Sequence, residues 1–219
     1  MTHRYPIPET TIARLPVYLR SLTRLADAEE SVVSSERLAQ LTGMHPAKVR
    51  KDMAYVGASG TRGVGYDVAH LVATTTRELQ RSCPTPVVIV GAGQLGRALA
   101  GYGGFAVEGF RIAALFDVDR AKVGQRVGGV AVRHLDELGT VVSGLEWVIG
   151  LLTTPPEAAQ PAADAMVAAG VGAVLNFSPT TIGVPERVWL RNVDVAVELQ
   201  ILAHRRLAAE VSATRGVLA

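Results

Sequence analysis

The apolar positions of this chain change their period a little beyond residue 80. Before that point they recur every three or four residues; after it, solid apolar runs alternate with helical stretches. Within residues 7–26, Ile12, Leu15, Val17, Leu19, Leu22 and Leu25 stand mostly at helical intervals. Pro6, Pro8 and Thr10 precede them as start signals, Thr10 or Thr11 is placed to cap, and Pro16 predicts an early kink or break. A short helix follows over Ser34 to Gly43, with a serine cap, Glu36 in its first turn and Gly43 at its end. His45-Pro46 opens another, with proline at its favoured first position, which runs to about Tyr55 and closes at Gly57. Gly57 to Tyr66 then predicts a glycine-rich hairpin with Arg62 at its tip and Tyr66-Asp67-Val68 returning. Residues 68–81 predict a connecting helix, and Ser82-Cys83-Pro84-Thr85-Pro86 a linker.

From Val87 the pattern alternates. Val87 to Val90 is a buried strand, Gln94 to Tyr102 a helix stopped by Gly103-Gly104, and Arg111 to Phe116 a second strand. Val130 to Val132 and Glu146 to Leu152 are further strands, with a short helix beginning at Asp136 between them. Thr154 and Glu157 stand at capping-box spacing before a helix to Ala169, and Ala173 to Phe177 is another strand. Strands alternating with helices imply a doubly wound parallel sheet. From Asp194 onward, Val195, Leu199, Leu202, Ala203, Leu207 and Val211 mark a long amphipathic helix. It either covers its own sheet or packs on a second chain.

The first strand breaks into Gly91-Ala92-Gly93-Gln94-Leu95-Gly96, which reads G-x-G-x-x-G between a strand and a helix. That is the sequence form of a dinucleotide-binding turn. The first glycine permits the tight turn, the second admits a pyrophosphate close to the backbone, and the third lets the helix pack on the strand. The helix N-terminus offers unpaired N–H groups to phosphate. Asp117 lies 21 positions after Gly96, where an acid bonds the adenosine ribose hydroxyls and disfavours a 2′-phosphate. The ligand is therefore expected off the carboxyl ends of the strands, near Gly91, Asp117, Thr153 and Asn176, with NAD favoured over NADP.

Two short helices joined by a glycine-containing turn form a helix-turn-helix pattern. On the second, Val49, Met53 and Val56 share a face suited to a core. Lys48, Lys51, Asp52 and Tyr55 share another, flanked by Arg50, and this face suits a major groove. The hairpin adds a wing whose Arg62 is expected to enter a minor groove.

Composition narrows the alternatives. Of 219 residues, 48% are hydrophobic and 19% charged, enough for a sizeable core; the net charge of +2 means that nucleic-acid binding must come from a local patch. Cys83 is the single cysteine, which excludes a disulfide framework and a thiolate metal cluster. No apolar run approaches the roughly 20 residues needed to cross a bilayer, so a cytoplasmic location is expected. No His–carboxylate pair stands at an obvious strand end and no Tyr-x-x-x-Lys occurs; His134 and His204 read as isolated. Thr153, Thr154, Asn176 and Ser178 suit holding a cofactor rather than turning it over. The competing readings are an NAD-dependent oxidoreductase with a helical appendage and an NAD-binding scaffold that does not touch DNA.

Almost the whole chain resembles the redox-sensing transcriptional repressors called Rex. The resemblance rests on residues 14–20 (Arg-Leu-Pro-Val-Tyr-Leu-Arg), 49–53 (Val-Arg-Lys-Asp-Met), 63–66 (Gly-Val-Gly-Tyr), Gly91 to Gly96, 116–119 (Phe-Asp-Val-Asp), 175–177 (Leu-Asn-Phe) and Val193-Asp194. It implies a non-enzymatic repressor with an α/β architecture: a winged-helix DNA-binding domain over residues 1–82, a Rossmann-like NAD(H) domain over 83–197, and a C-terminal dimerisation helix over 198–219, exchanged between protomers. The expected cofactor residues are Gly91, Ala92, Gly93, Gln94, Leu95, Gly96, Asp117, Val118, Thr153, Thr154, Asn176, Phe177 and Ser178, with Tyr102 and Asp194 near the nicotinamide. Lys48, Arg50, Lys51, Tyr55 and Arg62 are expected on double-stranded operator DNA. The resemblance makes Tyr102 and Asp194 the redox sensors and Arg20 their link to the DNA-binding domain. It implies operator binding with NAD⁺ or no cofactor and release by NADH. Some members carry an aromatic after the matching aspartate; Val195 stands there in this chain.

Overall fold

In the computed structural model, which describes residues 7–61, 63–79 and 84–205, the chain divides into two units, Met1–Cys83 and Pro84–Ala219. The first contains α1 (Glu9–Ile12), α2 (Leu15–Asp27), β1 (Val32–Val33), α3 (Ser35–Thr42), α4 (Pro46–Tyr55), β2 (Tyr66–Asp67) and α5 (Val68–Leu79). Pro16 sits in the first turn of α2, so the expected break separates α1 from α2. Neither Thr10 nor Thr11 caps α1, whose N-cap position is Pro8, and the Thr11 hydroxyl is committed elsewhere. Ser34 caps α3 through the Arg37 amide, and Gly43 ends it at a φ of 68°, a left-handed conformation that glycine adopts without steric cost. His45 Nδ1 accepts from the Ala47 amide at the start of α4. Leu15, Tyr18, Leu22, Leu38, Val49, Met53, Val56 and Leu71 form the core of this unit.

The wing differs from the expected hairpin. Thr61 pairs with Gly65 across a tight loop, but the return arm, β2, pairs antiparallel with β1. Val68 already belongs to α5. Arg62, residues 80–83 and residues 206–219 lie outside the described residues, and with them the proposed wing tip, the linker, and the Leu207 and Val211 end of the tail.

The second unit is built on β3 (Thr85–Val90), β4 (Phe110–Asp117), β5 (Arg126–Val127), β6 (Val130–His134), β7 (Ile149–Leu152), β8 (Ala173–Asn176) and β9 (Trp189–Asn192). They form a seven-stranded sheet in the order β5-β6-β4-β3-β7-β8-β9, in which only the β5–β6 pair is antiparallel. The six parallel strands have the doubly wound Rossmann order, with its reversal between β3 and β7. Strand side chains alternate between the two faces. Val88 and Val90 join Leu138, Val142, Ala159, Ala163 and Met166 under α8 (Leu138–Val142) and α9 (Pro156–Ala168); Val87 and Ile89 join Leu115 and Ala100 under α6 (Gln94–Ala100). Two short helical segments also belong to this unit: α7 (Gly104–Val107) and a 3-10 turn over Leu135–Glu137.

Several boundaries move. The strand expected from Glu146 begins at Ile149, and α9 starts at Pro156 with no side-chain cap, so Thr154 and Glu157 make no capping box. Gly104 opens α7 rather than stopping α6. His134 is not isolated: its Nδ1 caps the 3-10 turn and lies 3.0 Å from Asp136 Oδ2. Residues 195–205 form α10, and every one of them is exposed, so their apolar side does not cover the sheet of its own chain.

Candidate functional site

The sheet reversal places the loops after β3 and β7 side by side. A cavity of about 620 Å³ opens there, lined by Gly91, Gly93, Leu95, Asp117, Val118, Lys122, Leu135, Thr153, Thr154 and Phe177 among others. Its size falls within the roughly 300–1,000 Å³ usual for cofactor sites.

The three glycines of the turn have distinct reasons to be glycine. Gly91 has φ of 108°, and a Cβ there would stand 2.6 Å from the Thr153 carbonyl oxygen. A Cβ on Gly96 would overlap the Gly91 carbonyl oxygen and stand 2.8 Å from Thr153 Oγ1. Gly93 has nothing within 4 Å of the place a Cβ would occupy. The first and third are therefore fixed by packing, and the second leaves open floor in the cavity wall. The Thr153 hydroxyl donates to the carbonyl oxygens of Gly91 (2.8 Å) and Val90 (3.1 Å), tying the β7 loop to the turn.

Asp117 closes the other side. Its Oδ2 accepts from the Ala92 amide (2.8 Å) and from Lys122 Nζ (2.9 Å), and its Oδ1 accepts from the Asp119 amide (2.9 Å). Burial alone would raise this carboxyl, but the Asp119 amide, Lys122 and the Ala92 amide together hold it below the usual carboxylate range. The sequence marks Asp117 as an expected ribose ligand; in the structure it holds the glycine turn closed. Lys122, absent from the expected set, lines the same wall and neutralises it. Its spacing, i+5 from the acid across a turn, gives no periodic signal.

Other expected cofactor residues are placed differently. Asn176 is buried, and its amide donates to the Thr180 carbonyl and to Asn192 Oδ1 while its carbonyl accepts from the Ser178 amide. It fastens β8 to β9 and the following loop instead of lining the cavity. Thr154 Oγ1 and Ser178 Oγ are buried with no hydrogen-bond partner among the described residues; Thr154 lies on the cavity wall. A buried unpaired hydroxyl costs about 1–3 kcal/mol, and Thr154 Oγ1 presents no surface to the cavity that the rest of its residue lines. Gln94 is exposed, while Ala92 and Gly96 are buried behind the turn. Tyr102 lies off this cavity, lining a separate hollow with Phe105, Phe110 and Arg111. Asp194 caps α10, its Oδ1 accepting from the Ala196 and Val197 amides. Arg20 is exposed on α2.

In the first unit the face of α4 expected in the groove splits. Lys48, Lys51 and Tyr55 line a hollow shared with Pro8, Thr10 and Arg14, whereas Arg50 faces a second hollow beside Glu36, Gly63 and Tyr66. Lys48, Arg50 and Lys51 are exposed and Tyr55 half-buried. Arg50 Nη1 bonds Ser35 Oγ (3.0 Å) and pairs with Glu36 Oε1 (3.1 Å).

Asp52 does not belong to the groove face. It is 1% exposed, and both oxygens are fully engaged. Oδ2 accepts from Arg14 Nε (2.6 Å) and Tyr18 Oη (2.8 Å); Oδ1 accepts from Arg14 Nη2 (2.7 Å) and Thr11 Oγ1 (2.9 Å). Burial pushes this carboxyl up, but the hydrogen bonds from Arg14, Tyr18 and Thr11 outweigh it and hold it low. Burial and the Asp52 bond push the Tyr18 phenol well above its ordinary value, so it stays a donor. The clamp fixes α4 to α1 and α2 through a forked arginine contact. Sequence periodicity missed it, although Thr11, Arg14 and Tyr18 at i, i+3 and i+7 formed a visible polar stripe.

Among the described residues no group of three or more His, Cys, Asp or Glu could hold a metal ion, and no helix is long and apolar enough to cross a membrane.

Residues 82–180 match the family model "CoA binding domain", and residues 6–54 match "Putative DNA-binding protein N-terminus". The redox-sensing transcriptional repressor Rex of Streptomyces griseus is 54% identical over 209 residues, covering 94% of this chain and 83% of the relative. That of Desulforamulus reducens is 47% identical over 196 residues, covering 90% and 93%. Among solved structures, that of RSP in complex with beta-NAD+ and operator DNA matches with a TM-score of 0.86 at 30% identity, covering 96% of this chain and 97% of that one. RSP in complex with beta-NADH matches at 0.83 and 29%. With this identity over nearly its whole length, the chain belongs to the Rex family of redox-sensing transcriptional repressors.

Proposed function

We propose that this protein represses transcription by holding operator DNA on its first unit, and that NAD(H) at the glycine turn sets the strength of that hold. The observation that carries the reading is one chain joining two sites. Exposed Lys48, Arg50 and Lys51 stand on the second helix of a helix-turn-helix, and a cavity at the sheet reversal has an open Gly93 floor and an Asp117 wall.

Lys48, Arg50, Lys51 and Tyr55 contact DNA, the basic groups through phosphates and guanine edges; Arg62 is assigned to the minor groove beside the wing. Arg50 must exchange its exposed Glu36 partner for DNA, so Lys51 contributes more to affinity. In the second unit Gly91, Gly93, Leu95, Val118, Thr154 and Phe177 accommodate the dinucleotide, while Ser178 is buried and does not line the cavity. Asp117 accepts from ribose hydroxyls and rejects a 2′-phosphate. Thr153 lines the wall, while Ala92, Gln94, Gly96 and Asn176 belong to the turn and strand ends that carry it. The protein binds the dinucleotide without turning it over and works in the cytoplasm with its DNA.

The active form is a homodimer. Operators with two half-sites require paired recognition helices, and the exposed Val195, Leu199 and Leu202 of α10 supply an apolar surface for an exchanged helix. Tyr102 and Asp194 do not line this cavity, and the family resemblance assigns them to the nicotinamide end of the site. Arg20 then links that end to the DNA-binding unit. The bound nicotinamide supplies one thing, a ring whose positive charge is lost on reduction. The protein must bind NADH better in its DNA-released arrangement than in its DNA-bound one, since equal affinity would shift nothing. Operator binding measured at saturating NAD⁺ and at saturating NADH tests this. Much weaker binding with NADH is expected; equal binding contradicts it.

A further inference from the structure

Tyr102 leaves the C-terminal end of α6 within the sequence Gly101-Tyr102-Gly103-Gly104-Phe105. It is 60% exposed. An exposed tyrosine ordinarily samples several side-chain rotamers, yet here the ring has two neighbours. Phe105 meets it edge-on, with centroids 5.1 Å apart and planes at 86°. On another side the ring lies against the backbone of Gly104, so closely that a Cβ at that residue would stand 2.5 Å from Tyr102 Cε1, Cζ and Oη alike. No such restriction applies at the preceding glycine, where a Cβ would meet nothing within 4 Å.

Backbone demands do not explain the glycine at 104. It is the first residue of α7 and is absent from the positive-φ positions of the chain. Alanine there is better suited to a helix than glycine. The remaining reason for a missing side chain is the phenol that occupies its place.

We infer that Gly104 is a positioning residue for redox sensing: by lacking a side chain it lets the Tyr102 phenol lie over the start of α7, and so fixes where the hydroxyl is presented. This rests on the reading of Tyr102 as a redox-coupling residue. A methyl at 104 pushes only the far end of a side chain, so it displaces the phenol and leaves the fold intact. The hydroxyl then leaves the position from which it acts, and NADH loses its grip on operator release.

Three variants and two readouts test the inference. Gly104→Ala, Gly103→Ala and Tyr102→Ala are compared for operator affinity at saturating NAD⁺ and NADH, and for the contact between the Tyr102 and Phe105 rings by nuclear Overhauser effects. Gly104→Ala is expected to keep its melting temperature, lose the ring contact and shrink the NADH-induced drop in operator affinity by roughly tenfold, within the 5–150-fold range of such couplings. Gly103→Ala is expected to behave as the parent. Loss of response in Tyr102→Ala with a full response in Gly104→Ala overturns the inference and leaves the reading of Tyr102 standing. A full response in Tyr102→Ala overturns that reading and, with it, the sensing role of Gly104. An unchanged ring contact in Gly104→Ala overturns the positioning claim whatever the response does.

Discussion

Asp52 and Asp117 are buried carboxylates in different units, and each fastens an element proposed to meet a ligand. Asp52 is 1% exposed and Asp117 8%. The partners of Asp52 are side chains from more than thirty positions away, Thr11, Arg14 and Tyr18, and they use both its oxygens. Asp117 is held by the amides of Ala92 and Asp119 and by Lys122, and it still borders the cavity. One acid is wholly structural; the other shapes its site and still faces the cavity. The difference lies in whether an oxygen retains an open side, which no spacing in the sequence reports.

The largest expected effect separates the two directly. Asp52→Ala leaves the Arg14 guanidinium and the Tyr18 hydroxyl unpaired, at a cost of about 3–5 kcal/mol, the usual figure for breaking a buried pair. Hydrogen exchange of the α4 amides should accelerate accordingly and operator binding should fail, while NADH binding persists in the other unit. Unchanged α4 protection would remove the clamp from this account.

Asp117→Ala is expected to cost less in stability, about 1–3 kcal/mol for the orphaned Ala92 amide, yet more in function at its own site. Isothermal titration should show NADH affinity falling by at least tenfold, with operator binding by the cofactor-free protein retained. Undiminished NADH affinity would leave Asp117 with the turn alone.

Acid sharpens the comparison. Both carboxyls titrate below the usual range when folded. The unfolded state therefore binds protons first as pH falls, and the stability these groups give is complete above the ordinary carboxyl pKa of about 4 and is lost as pH drops through the folded values. Between pH 6 and 8 they contribute no slope. Melting curves from pH 6 to 3 should steepen in that lower window for the parent and less so for Asp52→Asn; identical curves would contradict the assignment.

Lys51→Ala should have the smallest effect on stability, within about 0.5 kcal/mol as for an exposed residue. It should weaken operator binding and lower the salt slope by about one. An unchanged slope would take Lys51 off the phosphate backbone.

These residues also show what was legible in the sequence. The glycine turn, the parallel alternation and Asp117 stand in a fixed order set by covalent geometry, so spacing alone locates them. The parallel strands next to the glycine turn are long or strongly apolar, whereas β1, β5 and β9 escaped notice: β1 and β5 span only two residues each, and Trp189–Asn192 is an edge strand with little buried. Asp52 was misplaced for a definite reason. It is i+4 from Lys48 and also i+3 from Val49, so helical periodicity puts it on the boundary of both faces. Only Arg14 and Tyr18, brought in from another helix, decide the matter. Tyr102 and Asp194 are located by resemblance alone, because neither lines the cavity at the glycine turn.

The central claim is that the two sites are coupled through one equilibrium, and linkage gives its most direct test. NADH affinity should be measured by titration with the protein free and with it saturated by operator DNA. The account predicts weaker NADH binding on DNA, by the same factor by which NADH weakens operator binding. Equal NADH affinity in the two titrations would contradict it.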